Sequence, residues 1–201
     1  FFLRWYGPNN ATLTVAGDVN TDEVIQLVTK YFGNIHPCPE VKNMPKMHVT
    51  LPSDRYISYE DNIRFPLLKV SYPSTEALSK EEAALDILSY VLGDGSNKNA
   101  LMYERFMKTQ KAVQASASNP AGELTGNFTF SVFAMPNTPL ADMKKELDAM
   151  LDDFAAKGIS EDALQEYKAT HEADVISRLQ SVQGKGSLMA SYQTFIGNPD
   201  Y

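Results

Sequence analysis

Cysteine is almost absent from this chain of 201 residues: Cys38 stands alone. A single thiol excludes an internal disulfide framework and any zinc cage built on cysteines. Histidine is nearly as scarce, at positions 36, 48 and 171, with no two within five positions of each other. A helical zinc site of the common kind needs two histidines one turn apart, and that spacing is missing. No apolar run approaches the ~20 residues of a membrane-spanning helix. No Lys/Arg cluster is interleaved with aromatics, and 18 basic against 25 acidic residues leave a net charge of -7. That balance disfavours nucleic acid as a partner, since phosphates call for a basic surface. Gly93-Asp94-Gly95-Ser96 lacks the Gly-Lys-Ser/Thr ending of a phosphate loop and follows no strand. Ser96, Ser116 and Ser118 lack the setting of a nucleophile elbow, which argues against a serine hydrolase.

What is present reads as an ordinary globular protein, 43% hydrophobic and 21% charged. Phe1-Phe2-Leu3-Arg4 has neither the basic front nor the cleavage site of a signal peptide. It reads as text from inside a longer protein, so the chain is expected to be a fragment. The sequence leaves the compartment open.

The pattern predicts a strand over Thr12–Val19, then a helix capped by Asn20 with Val24, Leu27, Val28, Tyr31 and Phe32 on its apolar face, ending at Gly33. Pro37, Pro39 and Pro45 mark residues 36–46 as a linker. Strands are expected at Met47–Leu51, Arg55–Asp61 and Leu67–Tyr72. A capping box, Ser79-Lys80-Glu81-Glu82, opens a helix to about Leu92 with Ala83, Ala84, Ile87, Leu88 and Val91 on its apolar face. A second helix, about Asn99–Lys108, carries Leu101, Met102, Arg105 and Phe106. Ala112–Ser118 and Leu124–Met135 read as a strand pair. Thr138-Pro139 caps a helix that stops at Gly158; another runs from Ser160 to about Gln183, and Leu188–Ile196 is also helical. Strands grouped between helices predict an α+β fold: two layers, a largely antiparallel sheet with helices on one face.

The opening run Trp5-Tyr6-Gly7-Pro8-Asn9-Asn10-Ala11-Thr12-Leu13-Thr14-Val15-Ala16-Gly17-Asp18-Val19 resembles a landmark of the insulinase/pitrilysin zinc metalloproteases, which include the mitochondrial processing peptidase. The helix ending Tyr31-Phe32-Gly33-Asn34-Ile35 and the proline-bearing linker are similar to that family too. So are Leu85–Leu92, the break Gly93-Asp94-Gly95-Ser96 and Leu101-Met102-Tyr103-Glu104-Arg105-Phe106. Nearly the whole chain is covered.

The resemblance implies two similar α/β units side by side, with zinc in the first, bound by an inverted motif His-x-x-Glu-His. That motif is absent here and is expected upstream, so zinc belongs to the parent protein and no metal, cofactor or catalytic residue is assigned to this chain. Residues 1–35 would be the last strand and helix of the preceding unit, 36–46 the linker, and 47–201 the second, non-catalytic unit, truncated at its C-terminus. The family's substrate-binding Arg and Tyr, seven residues apart, fall on Met107 and Gln114, so that pair is missing as well.

Other candidates carry bland readings. His171-Glu172 with Asp174 lies on a helix face, and His36-Pro37-Cys38-Pro39 offers too few ligands for a tetrahedral site. Asp152-Asp153 and Glu161-Asp162 fit solvated helix positions, the second pair complementing a helix dipole. Asn10-Ala11-Thr12 and Asn127-Phe128-Thr129 match the glycosylation triplet, a common chance match. The function implied is a non-catalytic domain of a zinc metalloendopeptidase, one wall of a chamber around a peptide substrate, inactive alone. The alternative is a catalytically inactive scaffold subunit of the same fold, like the core subunits of respiratory complexes. The expected partners are the upstream zinc-bearing unit, peptide substrate and a second copy of the fragment, through residues 1–35.

Overall fold

The computed structural model describes residues 1–95 and 97–201. In chain order the elements are α1 (Phe2–Trp5), α2 (Thr21–Phe32), β1 (Leu67–Ser74), α3 (Glu82–Gly93), a π-helical turn (Tyr103–Met107), β2 (Ala112–Ser118), β3 (Gly126–Ala134), α4 (Leu140–Lys157), α5 (Glu161–Gln180) and α6 (Val182–Ile196). The chain divides into two compact units: Pro45–Ala169, and Phe1–Met44 together with Thr170–Tyr201.

Pro45–Ala169 is built on an antiparallel sheet of order β1-β3-β2. The period-2 pattern of β3 decides which face is covered. Phe128, Phe130, Val132 and Ala134 are buried on one face. Val70 lies opposite Phe130 on β1, and Ala115 and Ala117 lie opposite Val132 and Phe130 on β2, so all join that face. Leu92 of α3, Met102, Phe106 and the α4 residues Met143, Leu147 and Met150 complete the core. Fully burying a side chain such as Phe106 is worth roughly 1.5–3 kcal/mol. This is the expected two-layer α+β arrangement with helices on one face.

Gly93 permits the close approach of α3 to β2. A Cβ there would strike the backbone nitrogen of Ala117 and come 2.8 Å from the sulfur of Met102. Leu88, expected on the apolar face of α3, does pack on the core together with Leu85 and Leu92, while Ala83 and Ala84 are exposed. The large leucines, not the small alanines, follow the sheet. The capping box forms only in part, since the N-cap is Glu81 without a side-chain bond and the Glu82 carboxylate reaches past Ser79. Ser79 Oγ accepts from Glu82 N–H at 3.3 Å, while the Glu82 carboxylate accepts from Leu78 N–H.

Several expected elements differ. The helix over Asn99–Lys108 is short and widens into the π turn, where Lys108 N–H donates to the Tyr103 carbonyl, five residues back, at 2.9 Å. β3 is trimmed at both ends: the Leu124 carbonyl accepts from Met47 N–H, outside the ladder, and Met135 N–H donates to the Lys111 carbonyl just before β2. Thr138 does not cap α4; the N-cap is Pro139, whose carbonyl accepts from Asp142 N–H. The expected strands Thr12–Val19, Met47–Leu51 and Arg55–Asp61 form no ladder among the described residues. Alternation fits a half-buried pleated surface, but a strand also needs a neighbour for its N–H and C=O groups.

In the unit of Phe1–Met44 and Thr170–Tyr201, Asn20 caps α2 as expected, its side chain accepting from Asp22 and Glu23 N–H. Val24 and Val28 are half-buried, but Leu27, Tyr31 and Phe32 are exposed. The segment after Asn10 lies along α6. Thr12 and Thr194 hydroxyls meet at 3.2 Å, and a Cβ on Gly186 would sit 3.4 Å from that of Ala16. The helix expected to reach Gln183 stops at Gln180, because Ser181 turns out of it and caps α6 by accepting from Gly184 N–H at 2.9 Å. The proline-bearing stretch is tied to the start of the chain at Cys38. The Asn9 side chain accepts from Cys38 N–H at 2.8 Å and donates to the Cys38 carbonyl at 3.0 Å, a two-bond clasp across 29 residues. Gly7 lies under it, since a Cβ there would collide with the Cys38 backbone.

Candidate functional site

The region where the family resemblance places substrate contacts is the π turn and the start of β2. Met107 packs against the core, and Gln114 is exposed on β2 opposite Phe133, beside the irregular register between Ala112 and Gln114. A thioether and a primary amide supply neither the permanent cation nor the phenol of the family pattern.

Arg105 is engaged elsewhere. Its guanidinium pairs with Glu146 at 3.3 Å and with Asp153, and Lys111 reaches the other oxygen of Glu146 at 2.8 Å. Lys111, then Arg105, hold the Glu146 carboxyl below its usual range, against an opposing push from burial. Two cations and two carboxylates neutralise one another, so the cluster joins α4 to the π turn and β2 and carries no spare charge for a substrate. Beside it a cleft of about 420 Å³ is lined by Val91, Leu101, Arg105, Asp153, Phe154 and Lys157. A larger, mostly apolar cleft of about 560 Å³ opens between α3 and the sheet, lined by Tyr72, Leu85, Leu88, Phe128, Phe130 and Leu151.

A polar network ties α3 to its surroundings. Asn119 donates to Asp86 at 3.0 Å and accepts from Ser74 Oγ at 3.3 Å. Tyr90 donates to Glu166 at 3.3 Å and meets the Tyr167 ring edge-on. Burial, with the nearby Asp86 charge, pushes the Tyr167 phenol up. These groups hold elements together, and no nucleophile or base lies among them in a reactive pairing.

The remaining sequence candidates are scattered. Cys38 is buried in the Asn9 clasp; His36, His48 and His171 are exposed, His171 and Asp174 along α5. Ser116 and Ser118 lie on β2, Asp152 is exposed on α4 and Ser96 lies outside the described residues. Glu161 and Asp162 occupy the first turn of α5. The Asn127 side chain accepts from the Thr129 hydroxyl at 2.8 Å. Among the described residues no group of three or more His, Cys, Asp or Glu is placed to hold a metal ion, and no helix is long and apolar enough to cross a membrane. Sequence reasoning missed the clasp and the Arg105–Glu146–Lys111 cluster. Both join residues far apart in the chain, and no local pattern announces them.

Pro45–Ala169 is thus an α+β unit with an antiparallel sheet covered on one face, and comparison with known proteins identifies its class. Residues 1–170 match the family described as the peptidase M16 inactive domain, and the chain belongs to that family. It is 29% identical over 196 residues to the zinc protease PqqE of Helicobacter pylori, an alignment that covers 96% of this chain and 44% of that protein. The fold resembles the crystal structure of a protease from Helicobacter pylori, with a TM-score of 0.73, 26% identity and coverage of 89% of this chain and 44% of that one. It also resembles a chain of complex III2 from Candida albicans, at a TM-score of 0.67, 14% identity, and coverage of 90% and 44%. The chain thus spans less than half the length of these relatives.

Proposed function

We propose that this inactive domain is part of a zinc-dependent metalloendopeptidase, where it forms one wall of the chamber that encloses a peptide substrate. Its work there is structural: it packs against a zinc-bearing unit that precedes it in the parent protein, and it supplies no ligand and no acid or base. The zinc, bound upstream by an inverted His-x-x-Glu-His motif, would polarise the scissile carbonyl and activate water. In this reading residues 1–35 belong to the preceding unit, 36–46 are the linker and 47–201 form the second unit.

The observation that carries this reading is the mismatch between a well-formed helix and its surroundings. α2 is capped and periodic, yet Ile25, Leu27, Tyr31 and Phe32 are all exposed, as are Leu13, Val15 and Val19 before it. An apolar surface of this kind marks an interface, and an unladdered β-patterned segment beside it fits completion of a neighbour's sheet. The kinship to a zinc protease supports a zinc-bearing unit as that neighbour.

A second reading is a catalytically inactive scaffold subunit, favoured by the fold likeness to a chain of a respiratory complex. One experiment separates the two. The parent protein is expressed whole and assayed on an unfolded peptide, with and without a chelator, beside a variant in which the motif's glutamate is replaced by glutamine. Zinc-dependent cleavage lost in the variant supports the protease. An intact, assembled parent that never cleaves supports the scaffold.

A further inference from the structure

Pro45–Ala169 carries a cation that the neighbouring carboxylates leave unmatched. In the cluster at the π turn, Arg105 and Lys111 are balanced by Glu146 and Asp153. Lys157, the last residue of α4, lines the adjoining cleft and makes no ion pair among the described residues. Glu161 and Asp162 begin α5 close by in sequence, but both are exposed and neither lines the cleft.

Leu101, Met150, Phe154 and Ile159 give the cleft an apolar lining. Small residues at the α4–α5 connection keep its end open. A Cβ at Gly158 would meet nothing within 4 Å, and Ser160 and Ala163 fill little space. The volume of about 420 Å³ lies in the range of small-ligand sites, which combine an apolar lining with a few placed polar groups. Asn99, Ser160 and Lys157 are such groups here. The Asn99 side chain has no hydrogen-bond partner among the described residues, while its backbone N–H donates to Asn97 Oδ1 at 2.9 Å. Ser160 Oγ accepts from Ala163 N–H at 3.2 Å and keeps its O–H to donate.

A side-chain amide offers both donors and an acceptor, which matches a backbone amide. An ammonium beside an apolar cleft calls for an anion, and its methylene stem lies readily along apolar surface. Together these groups match an apolar residue with a peptide bond before it and a free carboxylate after it. A plain apolar acid would satisfy Lys157 and leave Asn99 unused.

We propose that this cleft binds the C-terminal end of a peptide whose last residue is large and apolar. The side chain packs on Leu101 and Phe154, the carboxylate meets Lys157, and the last peptide bond pairs with Asn99 and Ser160. The site needs neither zinc nor a second unit, so it stands or falls apart from the protease role.

Titration of the full chain with N-acetyl-alanyl-phenylalanine, followed by backbone amide NMR shifts, tests the site. Saturable shifts are expected at Asn99, Leu101, Phe154 and Ile159. The C-terminal amide of the same peptide lacks the charge and should bind about three- to fivefold more weakly, the scale of an exposed ion pair. Lys157→Gln should weaken the acid to the level of the amide and leave the amide as it was. That position is exposed at a helix end, so the variant keeps its fold. Ala163→Phe fills the cleft and should abolish saturable shifts for both. Decanoate, an apolar acid without a peptide bond, should bind more weakly than the peptide. Shifts that do not saturate, equal affinity for acid and amide, an unchanged acid affinity in Lys157→Gln, or tighter binding of decanoate would each overturn the proposal.

Discussion

At the scale of single residues, two glycines and one asparagine set the backbone geometry. Gly93 is buried where α3 meets β2, and any Cβ there meets the Ala117 backbone, which cannot swing aside. Gly93→Ala is therefore expected to destabilise the protein by about 1–3 kcal/mol, the range for overpacking a tight core. A urea melt should show a lower midpoint with an unchanged slope. Asn9→Ala leaves the Cys38 N–H and carbonyl unpaired in a part-buried site, and a loss of roughly 1–3 kcal/mol is expected there too. Glu146 gives a prediction with a sign. Its folded-state carboxyl is held low by Lys111 and Arg105, so its contribution is fully present above the ordinary carboxylate range and is lost as pH falls through the folded value. Glu146→Gln should be less stable than the parent chain at neutral pH, and the gap should close on acidification. A gap that widened in acid would contradict the ion-pair origin. Little of this was legible in sequence. Gly7, Asn9 and Gly93 read as turn or break residues, while the backbone each meets, at Cys38 or Ala117, lies far along the chain.

At the scale of elements, the helices and the strand pair followed their patterns because their burial is periodic and local. α2 began at its Asn20 cap, and α4 ended at Gly158, whose φ of +71° suits glycine. β3 alternated as expected since both its neighbours come from within the same unit. Thr12–Val19, Met47–Leu51 and Arg55–Asp61 had comparable patterns and formed no ladder. Alternation reports a surface, and the missing term is a partner strand, which sequence spacing does not supply. The α3 face was misjudged for a related reason. Two alanines satisfied the helical period, but Leu85 and Leu92, flanking the expected Leu88, offered more area to bury. The break at Ser181 was legible in principle, as a serine three residues before Gly184. Leu147, fully buried on α4, is the point where the helical layer meets the sheet. Leu147→Ala is expected to cost about 2–5 kcal/mol, against near-neutral effects at the exposed Asp152 of the same helix. A thermal melt compares the two directly, and equal effects would show that α4 is not anchored as described.

At the scale of the whole molecule, the family was legible because its landmarks keep their order along nearly the full chain. The absence of an inverted zinc motif was likewise plain from three isolated histidines. The exposed face of α2 bears on association. If Leu27, Tyr31 and Phe32 form an interface, as proposed, the chain by itself should self-associate at high concentration. Light scattering should then register a larger mass for the parent chain than for a Leu27→Lys, Tyr31→Lys variant of equal helicity. Equal monomeric masses would remove the case for that interface.

The central claim is that this chain is a peptidase domain without a metal centre of its own. It is tested most directly by zinc analysis of the purified chain after dialysis against excess zinc and then metal-free buffer. The expected result is zinc far below stoichiometry. One zinc held per chain through dialysis would contradict the claim.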